Sequence, residues 1–111
     1  MKVICFGDSN TYGYDPRGYF GGRYDADSRW VDILAVETGW TVYNMGQNGR
    51  EIPSAVPAFQ DDTDLLIVML GTNDLLQGRS PEQAAEWLKR FLCGVSLEDR
   101  KSTRLNSSHN A

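Results

Sequence analysis

Apolar residues in this chain fall into short unbroken runs separated by polar, glycine-bearing stretches. Val3-Ile4-Cys5-Phe6 is apolar at every position and is closed by Gly7, the pattern of a parallel strand buried on both faces. Asp64-Leu65-Leu66-Ile67-Val68-Met69-Leu70 repeats it more strongly, and Thr41–Tyr43 is a third, shorter β-like run. Between them the spacing turns helical. Trp30, Val31, Ile33, Leu34 and Val36 predict a helix capped by Ser28 and stopped by Gly39. Ser80-Pro81-Glu82-Gln83 carries a capping serine, proline at the first helical position and glutamine three after the cap. It predicts a helix with Ala84, Ala85, Trp87, Leu88, Phe91 and Leu92 along its inner side. Ile52–Phe59, broken by Pro53 and Pro57, reads as a short irregular helix, and Tyr12–Asp27 as a loop over the sheet edge.

The order β-α-β-α-β-α predicts an α/β domain with a parallel sheet and crossover helices. Three strands make a meagre sheet, and the Asp64–Leu70 strand is expected to lie at an unpaired edge. Residues 1–97 therefore read as the N-terminal part of a larger domain. Residues 98–111 change character, with one large aliphatic side chain and no aromatic one. They are expected to be a polar, disordered tail, and Arg100–His109 resembles translated sequencing-adapter read-through, which would make the tail foreign.

Composition narrows the classes. With 111 residues, 41% hydrophobic and 23% charged, the chain suits one folded domain and not a disordered segment. A net charge of −4 gives no electrostatic footprint for nucleic acid or an anionic membrane. No run approaches the roughly 18 apolar residues of a membrane span. Met1-Lys2 leads directly into the first strand, so a cytoplasmic setting is expected. Cys5 and Cys93 lack metal-type spacing and read as reduced core residues. Neither a metal nor a cofactor is expected.

Three polar motifs follow the three strands: Gly7-Asp8-Ser9-Asn10, Asn44-Met45-Gly46-Gln47-Asn48-Gly49-Arg50 and Gly71-Thr72-Asn73-Asp74. In an open parallel sheet, loops at the carboxyl ends of the strands meet along one edge. A serine hydroxyl, a glycine amide and an asparagine carboxamide meeting there would supply a nucleophile and two neutral donors, as acyl transfer requires. Taken singly, each has a plain structural role: Ser9 and Asn73 as turn formers, Gly49 as a turn glycine, Asp74 as a helix cap. Gly7-Asp8-Ser9 is not the Gly-x-Ser-x-Gly nucleophile elbow, because Thr11 stands where that motif has glycine.

These three blocks, in this order, resemble the SGNH (GDSL-like) hydrolases over residues 1 to about 95. The resemblance implies a flavodoxin-like three-layer α/β/α fold and a serine esterase acting on small acyl esters through an acyl-serine intermediate. It implies Ser9 as nucleophile, and an oxyanion hole made of the Ser9 amide, the Gly49 amide and the Asn73 side chain. Gly49 is preferred to Gly46 because the family's glycine lies five residues beyond the asparagine. Ser28-Arg29-Trp30 and Leu70–Asp74 also resemble the arylesterase and lysophospholipase-like branch. The family's last block, Asp-x-x-His, has no match. Asn106-x-x-His109 copies its spacing without the acid, and no fourth or fifth strand precedes it. The resemblance therefore gives this chain no triad acid or histidine and implies a truncated, nearly inactive fragment. Lacking a triad member, a serine hydrolase keeps only roughly 10³–10⁴-fold catalysis over water.

The resemblance leaves the ester undefined: carbohydrate deacetylase, lysophospholipase, thioesterase and acyltransferase are not separated. Tyr12, Tyr14, Tyr19, Phe20 and Tyr24 offer an aromatic loop that would hold an aryl group or a sugar, or pack the rim. Two rivals stand beside the esterase: a nonenzymatic flavodoxin-like module binding phosphate or nucleotide, and an inactive pseudo-enzyme. The first is weakened by the lack of a P-loop or a dinucleotide fingerprint.

Overall fold

The protein is described by a computed structural model covering residues 1–17 and 22–95, with the backbone of residues 102–106. In chain order the elements are β1 (Lys2–Gly7), α1 (Ser9–Tyr12), a 3₁₀ turn (Ala26–Ser28), α2 (Trp30–Thr38), β2 (Thr41–Gly46), β3 (Leu65–Met69), α3 (Thr72–Leu76), α4 (Pro81–Gly94) and β4 (Ser102–Asn106). All strand pairs are parallel and the order is β2-β1-β3-β4. This is the first part of the flavodoxin-like order, in which the chain steps from β1 to one neighbour and returns to the other side.

Alternation along the strands divides the core between two layers. Ile4, Phe6, Leu66, Val68 and Leu70 face α4, packing with Ala84, Leu88, Phe91 and Ile52. Val3, Cys5 and Leu65 face the opposite way, with Val31 of α2. Phe6 stacks on Phe91 and meets Phe59 edge-on, each at a centroid distance of 5.5 Å. Two of the helix-end signals hold. Ser80 and Gln83 form the reciprocal capping box on α4, with Pro81 in its first turn, and Gly39 ends α2 at φ 73°.

Several expectations need correction. Ser28 ends the 3₁₀ turn, and Arg29 precedes α2 without a side-chain cap. Residues 50–60 form no helix, since Pro53 and Pro57 each remove an amide donor; Ile52, Val56 and Phe59 still cover the α4 side of the sheet. Ala85 and Cys93 lie on the exposed side of α4. The β3 edge is not left bare: Ser102–Asn106, inside the segment expected to be a disordered tail, pairs with Leu65–Met69. An open strand edge presents a row of unpaired N–H and C=O groups, which any extended segment satisfies whatever its side chains. His109 and the rest of that segment lie outside the described residues, as do Tyr19 and Phe20.

Burial pushes the Cys5 thiol up to about 12. A thiol held neutral in the fold but ionisable near its ordinary value when unfolded loses its stabilisation as pH rises from about 9 toward 12. The slope is about 1.4 kcal/mol per unit in that window. Urea denaturation at pH 8 and pH 10.5 should show a larger alkaline loss for the native chain than for Cys5→Ala. Equal losses would contradict a buried, neutral Cys5.

Candidate active site

Register brings the three motif loops to one level. Gly7 of β1 lies opposite Gly46 of β2 and opposite Met69 of β3, with neighbouring strands about 4.8 Å apart. Ser9, Gly49 and Asn73 thus follow three adjacent strand ends by two, three and four residues. Ser9 opens α1, whose first turn is capped by the Asp8 carboxylate accepting from the Asn10 amide at 3.0 Å. Gly49 sits in the turn closed by the Arg50 amide donating to the Gln47 carbonyl at 3.2 Å. Asn73 lies in the first turn of α3.

Hydrogen bonds tie these loops together. The Gly7 carbonyl accepts from the Gln47 amide at 3.1 Å and from Arg50 Nε at 3.0 Å. Asn73 Nδ2 donates to the Arg50 carbonyl at 3.1 Å. A carboxamide nitrogen carries two hydrogens, so this bond orients Asn73 while leaving a second donor. One residue on, Asp74 is fully buried, and its carboxylate accepts from the Ile52 amide at 3.0 Å and from an Arg79 guanidinium nitrogen at 2.8 Å. The same Arg79 nitrogen reaches Glu51 at 2.7 Å. Asp74 makes no capping bond to α3 and instead joins it to the segment that follows β2.

Arg50 was read only as the end of a motif. Its guanidinium lies 4.1 Å from the Phe6 ring centroid, joining the loops to the core. Burial lowers its pKa, but a guanidinium remains protonated throughout the physiological range. The charged hydrogen-bond donor is thus retained.

The two glycines of the second motif play different parts. A Cβ on Gly46 would overlap the Tyr12 backbone nitrogen and lie 2.7 Å from the Tyr12 Cα, so β2 and α1 touch only because glycine is there. Gly49 has φ 77° and open space around its Cβ direction, which leaves its backbone approachable. Gly46→Ala should cost about 3 kcal/mol through a forced backbone shift, and Gly49→Ala about 1 kcal/mol through its dihedral alone. Equal midpoints in thermal denaturation would contradict this division.

Among the described residues, no group of three or more His, Cys, Asp and Glu could hold a metal, and no helix is long and apolar enough to cross a membrane. In the aromatic loop, Tyr12 lies under Arg23 at 4.3 Å and Tyr24 under Arg17 at 5.5 Å. Those two rings are engaged by the loop's own cations.

A model of the GDSL-like lipase/acylhydrolase family matches residues 5–99. The chain belongs to that family. Solved structures similar to it include a candidate arylesterase from Agrobacterium tumefaciens, 32% identical, at TM-score 0.69 over 83% of this chain and 53% of that one. The native M. smegmatis aryl esterase is 28% identical, at TM-score 0.72 over 85% and 54%. A member of the lipolytic G-D-S-L family from Veillonella parvula is 30% identical, at TM-score 0.69 over 95% and 57%. This GDSL-like chain spans little more than half the length of these structures. A comparison with curated protein sequences gives no significant match. Family and neighbours support ester hydrolysis as the general chemistry.

Proposed function

We propose that the whole protein is a serine esterase of small acyl esters, with Ser9 attacking the carbonyl. The Ser9 amide, the Gly49 amide and the Asn73 carboxamide receive the oxyanion. The observation that carries this reading is the common level of Gly7, Gly46 and Met69, from which the three groups depart, together with the Asn73 bond to the residue after Gly49. Attack builds negative charge on one oxygen, and donors fixed beforehand stabilise it without reorganising. Each is typically worth about 10²–10³ in rate. Asn73 suits this role because its carboxamide donates without carrying a labile charge.

Without a base, Ser9 is a weak nucleophile. The family resemblance implies an Asp-x-x-His block as its source. None occurs in these 111 residues, and we place it in sequence beyond them, consistent with the partial span of the solved relatives. On this reading the 111-residue chain is itself close to inactive. The neighbours' printed names favour aryl esters as first substrates to try. The cytoplasmic setting and the foreign origin of residues 98–111 belong to the same proposal.

The test is a fluorophosphonate probe on the full-length protein, followed by peptide mapping. Phosphonylation confined to Ser9, together with p-nitrophenyl acetate hydrolysis, is the expected result. Modification elsewhere, or none with an intact fold, would leave the binding-module alternative standing instead.

A further inference from the structure

The helix that carries Ser9 is too short to satisfy itself. The last carbonyls of any helix lack an amide one turn on, and in the four residues of α1 nearly every carbonyl is a last one. Ser9 O is served locally, accepting from the Gly13 amide at 2.9 Å and the Tyr14 amide at 3.0 Å. The next three are each taken by a side chain from a different part of the fold. Asn10 O accepts from the Trp30 indole of α2 at 3.1 Å. Thr11 O accepts from Asn44 Nδ2 of β2 at 2.8 Å. Tyr12 O accepts from Arg23 Nε of the intervening loop at 2.8 Å.

We propose that Trp30, Asn44 and Arg23 are positioning residues for Ser9, three converging donors that set the attitude of its one-turn helix. The inference rests on the reading of Ser9 as nucleophile and adds to it what aims the hydroxyl. The chemistry of the set is uniform. An indole N–H and a guanidinium can only donate, and the Asn44 amide is oriented to donate because its own oxygen accepts from the Gly46 amide at 2.8 Å. Arg23 also brings positive charge to the negative end of the α1 dipole, and its guanidinium lies over the Tyr12 ring. Donors from three elements oppose rotation of α1 in any one direction, as a single bond would not. Misplacing a reacting group by about 1 Å can cost about 10²-fold in rate.

The test uses amide hydrogen exchange at Gly13 and Tyr14, whose bonds to Ser9 O report the α1 turn. Trp30→Phe keeps the aromatic packing and removes the indole donor. It should speed exchange at these two amides by about fivefold while β1 and α4 amides keep their rates, the factor that corresponds to one lost bond. Asn44→Asp supplies a readout that packing alone would not move. Its introduced carboxyl can donate to Thr11 O only when protonated, so protection of the α1 turn should approach the native value below about pH 4 and fall above it. The native chain should show no such gain of protection on acidification, because the Asp8 carboxylate that caps α1 can only lose its charge there. Unchanged exchange in Trp30→Phe, or pH-independent protection in Asn44→Asp, would overturn the proposal. Fluorophosphonate labelling of the full-length protein is the separate arm: failure to label Ser9 would overturn the nucleophile reading, while the exchange data judge the positioning of α1.

Discussion

Ser9→Ala in the full-length protein should lower kcat for p-nitrophenyl acetate by about 10⁶-fold, the scale seen when a hydrolase loses its serine nucleophile. Circular dichroism and the melting temperature should stay at native values. Ser9 lies at the start of α1, its backbone carbonyl bonds survive the substitution, and alanine is the best helix former. Residual hydrolysis of roughly 10³–10⁴ over water should remain from the oxyanion hole and substrate binding. Asn73→Ala should fall far less, and in kcat more than in KM, since in the proposed mechanism its second hydrogen is needed only as charge develops. A native rate in Ser9→Ala would remove the serine from the mechanism.

The second large effect concerns stability. Asp74 is fully buried and receives the Ile52 amide and the Arg79 guanidinium. Removing its carboxylate leaves a buried amide without its acceptor, and leaves Arg79 with the more exposed Glu51 and the face of the Trp87 ring. Breaking a buried charged pair from one side costs about 3–5 kcal/mol. Small domains are stable by only about 5–15 kcal/mol. Asp74→Ala should therefore shift the urea midpoint by a large fraction of its native value. Asp74→Asn, which keeps an acceptor for the Ile52 amide, should cost clearly less, and Glu51→Gln less than about 1 kcal/mol because that pair faces solvent. A native midpoint for Asp74→Ala would show that the tie between α3 and the second motif carries no weight.

What the sequence made legible is whatever depends on local chemistry. The unbroken apolar runs of β1 and β3, the Ser80–Gln83 box and the Gly39 stop are written in adjacent residues, and the structure keeps all of them. Strand β2 runs three residues further than expected, through Asn44, Met45 and Gly46. There a polar side chain and a glycine hide extended backbone that pairing with β1 enforces. The one-turn helices α1 and α3 are likewise hidden, because four or five residues are too few to show a helical period. The roles of Trp30 and Asn44 depend on partners 20 and 33 residues away, and that of Arg79 on Glu51, 28 residues away, and on the buried Asp74, and no local pattern announces such contacts. Trp30 looked like one more apolar position of α2. A lone arginine such as Arg79 carries no periodic signal, although it is paired with the buried Asp74. The fourth strand was missed because Ser102–Asn106 owes its extension to the open edge of β3 and not to its own composition.

The most direct test of the convergence is a crystal structure of the full-length protein phosphonylated by the fluorophosphonate probe. The account predicts phosphorus bonded to the Ser9 oxygen, with one phosphonyl oxygen about 2.7–3.1 Å from the Ser9 amide, the Gly49 amide and Asn73 Nδ2 together. An adduct on Ser9 whose phosphonyl oxygen meets neither Gly49 nor Asn73 would contradict it.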